Sequence, residues 1–267
     1  MVDSLSPINE SPRTFQTETD VLATQANKVT DAVTGKILYC NGMTTSHELA
    51  LNQARTVAEL TGLEVELHYN NTTSTEQALK ITSKLGIGCL AIGFALASRG
   101  RWLVKAIGIL GLASFVSGVI DLNKIEKQKM ASAEKMAEKV STYLEAHPMH
   151  HLTMILHSQG ADIGHRALEK LSAYKSRISV VTIGGMIDIP DGLALRVVNF
   201  VNENDMISHL SKTLFDPKAG PKTRVQIPDK KTPYLNSHFS LEYLNQPPVK
   251  KTIQDIVKSP FAVIRQA

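Results

Sequence analysis

The sequence predicts an α/β fold: a mostly parallel sheet flanked by helices, with a hydrophobic helical hairpin inserted into it. Three observations carry this prediction. Short apolar runs without Gly or Pro alternate with amphipathic stretches, the pattern of strands joined by crossover helices. The run 152–156 passes through His157-Ser158-Gln159-Gly160 straight into the amphipathic stretch 161–171, so a serine stands on a sharp strand-to-helix turn. Two uncharged runs, 85–98 and 106–120, interrupt the alternation, with Arg99-Gly100-Arg101 between them. The length of 267 residues suits one large domain.

In chain order, residues 1–30 are polar and rich in Ser, Thr, Gln and Pro, and read as a disordered tail. The main domain is assigned to 31–267. Lys36-Ile37-Leu38-Tyr39-Cys40 makes a first strand and runs into Asn41-Gly42-Met43-Thr44. Thr45 and Glu48 have capping-box spacing, Ala50, Ala54, Val57 and Ala58 follow at helical intervals, and Gly62 closes that helix. Glu64 to Tyr69 alternates charged and apolar residues, which places a strand near a sheet edge.

Residues 81–122 form the hairpin insertion. Cys89, Gly93 and Ala97, then Ser114 and Gly118, recur four apart, a spacing that lets helices approach closely in lipid. Each uncharged run falls short of the roughly 20 residues that cross a bilayer. Two readings stand: a membrane hairpin, with Leu85, Gly93, Trp102, Gly111 and Ile120 as its marker residues, or a helical hairpin buried on the domain. Residues 125–146 then form an ordinary helix with a stripe of Ala133, Met136, Ala137, Val140 and Leu144, ended by Pro148. Further strands are expected at 178–183, 195–201 and 223–228.

Composition narrows the chemistry. Hydrophobic content of 43% permits a substantial core, and a net charge of +4 is mild. Aromatics at 5% with scattered basic residues give no nucleic-acid signature. Cys40 and Cys89, far apart, indicate neither a disulfide framework nor a metal site, so no metal and no cofactor is expected. Residues 1–30 lack an apolar core segment, so no signal peptide is expected. The expected location is the cytoplasm or a membrane surface, with non-classical secretion left open.

A serine hydroxyl needs a base, and the base an orienting carboxylate. On a parallel sheet such groups gather at the C-terminal strand ends. Ser158, Asp205 and His238 follow three expected strands in that order. The backbone N–H groups of Gln159 and Met43 are the candidates for receiving an oxyanion. Competing acids are Asp188, Asp191 and Glu203; competing bases are His209 and His157, the latter better suited to a polar or capping role. The turn wants a small residue two before and two after the serine; Gly160 fits, Leu156 does not. An ordinary strand-to-helix turn is the plain alternative.

At these residues the chain resembles the α/β-hydrolase superfamily. His157-Ser158-Gln159-Gly160 is similar to the His-Ser-x-Gly elbow of lipases, and 196–199 with 204–207 looks like the acid-bearing strand and loop of class 3 lipases. Asn41-Gly42, Tyr69-Asn70 and His157 to Gly160 also resemble uncharacterised hydrolase-like proteins of chlamydiae. The resemblance spans about 36–80 and 150–245 and implies an acyl-ester hydrolase fold. The expected activity is a serine esterase or lipase-like hydrolase acting on carboxylic, including lipid, esters through a Ser-His-Asp triad and an acyl-enzyme. Its expected partners are an ester or lipid substrate and a membrane surface, with no nucleic acid and an oligomeric state the sequence does not reveal. The second reading is a catalytically inactive, membrane-associated interaction protein with a hydrolase fold.

Overall fold

A computed structural model describes residues 35–72, 102–205, 224–228 and 238–259, with further residues between 80 and 91 and at 208–209. The tail 1–30 and the hairpin positions Leu85 and Gly93 lie outside the described residues. At Trp102 and Gly111 only the backbone is described.

Six strands form one sheet: β1 (Gly35–Cys40), β2 (Val65–His68), β3 (His151–His157), β4 (Ile178–Ile183), β5 (Arg196–Asn202) and β6 (Arg224–Ile227). Their order is β2-β1-β3-β4-β5-β6, and every neighbouring pair is parallel. Helices among the described residues include α1 (His47–Thr61), α2 (Trp102–Ala146), α3 (Gln159–Lys170), α4 (Ser240–Asn245) and α5 (Pro247–Lys258). A parallel sheet covered on both faces needs apolar residues on both faces of its strands. The central strands β3 and β4 accordingly are buried at every position. This is an α/β-hydrolase-like architecture.

One face is sealed by α2 and α3: Met136, Val140 and Leu144 of α2 meet Leu38, Met154 and Leu156 of the sheet and Ile163 of α3. The other is sealed by α1, α4 and α5, whose Ala54, Val57, Tyr243 and Ile253 pack on Tyr39, Ile155 and Val181. Each fully buried Val, Leu, Ile or Met among them contributes about 1.5–3 kcal/mol. Strand β2 does occupy an edge, and its outward Glu66 takes Lys36 at 2.7 Å and Lys139 at 2.5 Å.

Two expectations shift. The N-cap of α1 is Ser46, whose hydroxyl accepts from the Leu49 N–H, not Thr45, whose hydroxyl lies 3.5 Å from the Met43 carbonyl. The helix expected from 125 is the end of a continuous 45-residue helix from Trp102, because Asp121-Leu122-Asn123-Lys124 holds neither Gly nor Pro to break it. Gly62 closes α1 in the left-handed conformation, as expected from a C-terminal glycine.

Candidate functional site

The register of β1, β3, β4 and β5 brings their C-terminal ends to one edge, where Cys40 pairs with Leu156 and His157 with Ile183. Ser158 follows β3 directly and precedes α3. Its backbone stands at φ 53, ψ −120, a conformation that L-residues avoid. Such strain persists only where its surroundings enforce it. Here they are glycines at close approach. A Cβ on Gly160 would come within 2.6 Å of the Cys40 carbonyl oxygen, and one on Gly42 within 2.8 Å of Ser158 Cβ. The loop after β1 therefore runs directly against the serine.

Three side chains from separate loops converge on this edge. The Ser158 hydroxyl donates to His238 Nε2 at 2.9 Å. His238 Nδ1 lies 2.9 Å from both carboxylate oxygens of Asp205, which fixes the proton on Nδ1 and leaves the lone pair of Nε2 facing the serine. Asp205 is fully buried. Burial opposes its charge, but His238, the Ser208 N–H and the Tyr243 hydroxyl outweigh that and hold its carboxyl below the usual carboxylate range. Tyr243 donates to Asp205 Oδ2 at 2.6 Å, and its hydroxyl accepts from the Asn202 N–H at 2.8 Å. Ser208 gives Asp205 both its N–H (2.9 Å) and its hydroxyl (2.8 Å). A hydroxyl, an imidazole and a buried carboxylate in this series can pass the hydroxyl proton to the ring as the oxygen attacks.

His157 does not face Ser158 as a base. Its Nε2–H donates to the backbone carbonyl of His238 at 2.8 Å, and burial drives its pKa down to about 3, so the ring is neutral. It anchors the segment that carries His238. The other rivals sit elsewhere. Asp188 pairs with Arg224, Asp191 and Glu203 are exposed, and the backbone N–H of His209 donates to the Asp205 backbone carbonyl at 3.1 Å.

Gln159 opens α3, where backbone N–H groups lie beyond the first helical hydrogen bond. Its side chain is buried, with Oε1 accepting from Asn70 Nδ2 at 3.0 Å and 2.8 Å from the Thr72 hydroxyl. Asn70 in turn is locked to Asn41: its N–H donates to Asn41 Oδ1 at 2.8 Å, and Asn41 Nδ2 donates to the carbonyls of Gly42 (2.8 Å) and Asn70 (3.1 Å). Because the peptide is planar and trans, turning the Gly42 carbonyl towards Asn41 turns the Met43 N–H the opposite way. Thr44, at φ 59, completes this turn. Sequence reasoning passed over Thr72, Tyr243 and Ser208 at this site. The one legible signal was a matching pair of asparagines, Asn41 and Asn70, just past two strand ends.

No protein-family model matches the sequence, and no curated protein matches it. Among solved structures the chain is similar to a dienelactone hydrolase from Anabaena variabilis ATCC 29413, with 12% identity, 86% of each chain covered and a TM-score of 0.34. It is also similar to a cutinase-like protein from Cryptococcus sp., with 12% identity, 83% of this chain and 91% of that one covered and a TM-score of 0.38. Likenesses this distant say nothing of chemistry.

Proposed function

We propose that the protein is a serine esterase that cleaves carboxylic esters through an acyl-enzyme. The observation that carries this reading is the continuous hydrogen-bonded series from Ser158 through His238 to the buried Asp205, with the serine strained at a strand end. His238 Nε2 takes the Ser158 proton as Oγ attacks the acyl carbon. Asp205 holds the imidazole tautomer and offsets the imidazolium charge. The oxyanion is received by the N–H groups of Gln159 and Met43. His238 returns its proton to the departing alcohol, then activates water to release the acid and restore Ser158.

A lipid ester is the finer reading of the substrate, supported by the apolar surface that the hairpin exposes. The nearer likeness to chlamydial hydrolase-like proteins rests on the Asn41-Gly42, Tyr69-Asn70 and His157 to Gly160 motifs alone.

The test is labelling with a fluorophosphonate together with turnover of a soluble short-chain ester. The wild type takes the label on Ser158 and turns over; Ser158→Ala does neither. Asp205→Asn folds but loses roughly 10⁴-fold in kcat, because the imidazole rests in the wrong tautomer. A wild type that is inert to both probes overturns the proposal. The fold would then stand as a non-enzymatic interaction module, the reading that the exposed hairpin favours.

A further inference from the structure

Around Ser114 the packing of α2 is inverted relative to a helix in water. Ser114, Ser117, Gly118 and Asp121 follow the spacing i, i+3, i+4, i+7 and form one face. Ser114 donates to the Lys84 carbonyl at 3.0 Å, Asp121 takes the Lys84 ammonium at 2.6 Å, and Gly118 is buried. This small and polar face is therefore turned towards the arm that holds Lys84. Leu112, Val116, Val119 and Ile120 form the opposite face and are 53%, 47%, 37% and 50% exposed. On the facing arm Ile87 and Leu90 are 61% and 77% exposed. A helix in water buries its apolar stripe and shows its polar one. Small and polar contacts between helices with bulky apolar groups outside is the arrangement that lipid favours. An apolar surface of this kind calls for a cover.

Charge selects the cover. Residues 80–127 hold seven Lys or Arg against Asp121 and Glu126, an excess of five, whereas the whole chain carries +4. The rest of the protein is thus close to neutral, and the positive charge is gathered in the segment that exposes the apolar face. Two such hairpins would repel each other, whereas an anionic headgroup layer would attract each Lys or Arg near it by about 1 kcal/mol. From Leu110 to Leu122 the helix advances only about 18 Å, short of a hydrocarbon core of about 30 Å. Among the described residues no helix is long and apolar enough to cross a membrane.

We propose that this hairpin docks on an anionic lipid surface, lying in the interface with Leu112, Val116, Val119 and Ile120 inserted and its basic residues on the headgroups. This inference does not depend on the esterase reading.

The test uses the full chain carrying Ser158→Ala, so that ester turnover cannot alter the vesicles. It is sedimented with vesicles of phosphatidylcholine alone or of equimolar phosphatidylcholine and phosphatidylserine. The expected result is binding to the anionic vesicles at least tenfold tighter than to the neutral ones, weakened by salt. The emission of Trp102, the chain's one tryptophan, should shift to the blue on binding. The double variant Leu112→Gln, Val116→Gln should lose at least tenfold in vesicle affinity. In an otherwise wild-type chain it should leave hydrolysis of a soluble ester unchanged. Ile120→Gln, on the same face, gives the same loss should the double variant be unstable. Protein that stays in the supernatant with both vesicles, or that binds both equally, overturns the proposal. So does self-association abolished by the double variant, which would assign the face to a second copy of the chain.

Discussion

Leu156 and Gly164 fit as a pair: a Cβ on the glycine would stand 2.3 Å from Leu156 Cδ1. Leucine occupies the strand position where a tight serine turn ordinarily demands a small residue, and the absence of a side chain one helical turn into α3 makes room for it. The departure that the sequence shows at 156 is compensated at 164. Gly164→Ala should therefore destabilise the protein by about 1–3 kcal/mol, although alanine is otherwise the better helix former by about 1 kcal/mol. Leu156→Ala should cost less in that variant than in the wild type, a non-additivity visible in urea unfolding. Additive effects would contradict the pairing.

His157 acts on the base through the backbone. His157→Phe keeps an aromatic ring in the buried site but leaves the His238 carbonyl without its donor, a cost of about 1–3 kcal/mol. Spent on the placement of the imidazole, that corresponds to a fall in kcat of about 10- to 100-fold. KM should change little, because no substrate contact is removed. Replacement by Gln, which can again offer an N–H, should restore part of kcat. A loss confined to KM would contradict this role.

Asn70 ties the end of β2 to the serine turn. Asn70→Ala removes the 3.0 Å donor to Gln159 Oε1 and the acceptor of the Thr72 N–H at 3.1 Å, leaving one buried acceptor and one buried donor each short of a bond. Stability should fall by about 1–3 kcal/mol for each buried group left short of a bond. The rate of fluorophosphonate labelling should fall as well, because Gln159, which opens α3 beside Ser158, loses a side-chain partner that holds it. Unchanged labelling in the folded variant would separate this network from the site.

What the sequence made legible was local. Strand β4 spans 178–183 as expected, and β3 and β1 lie within a residue of their expected bounds, because continuous apolar runs bounded by turn residues admit few alternatives. The stripe Ala133, Met136, Ala137, Val140 and Leu144 is buried throughout, because a 3.6-residue period has one solution on a sheet. Ser158, Asp205 and His238 were named from strand-end positions, and the structure places them within hydrogen-bond reach of one another. What stayed hidden joins distant parts of the chain: His157 to the backbone of His238, Tyr243 to Asp205, Asn70 to Gln159. No period or spacing encodes such pairs. The hairpin stayed open between two readings for a different reason. Its uncharged runs signal burial, yet whether protein or lipid does the burying depends on which face is turned inward, and composition does not carry that.

Acid stability reports on three buried histidines. Burial lowers the pKa of His157 to about 3 and those of His68 and His151 to about 4. His68 and His151 are held by the hydroxyls of Ser132 and Ser179, each at 2.9 Å. Above the unfolded pKa of about 6.5, both folded and unfolded chains carry these rings neutral, and they add no pH dependence. Below it the unfolded chain takes up three protons that the folded chain refuses, so stability falls with falling pH, down to the folded values. Each fully titrating group contributes about 1.4 kcal/mol per pH unit, so the three together give a slope of up to about 4 kcal/mol per unit near pH 5. Asp205 acts in the same direction but lower. Its depressed pKa gives stability that is present above the unfolded carboxylate value of about 4 and is lost as pH falls through the folded value. Urea unfolding from pH 7 to pH 4.5 measures the slope, and in His157→Phe it should drop by about a third below pH 6. A slope identical in wild type and variant would show that His157 protonates as readily folded as unfolded, and its neutral role as a donor to His238 would fall.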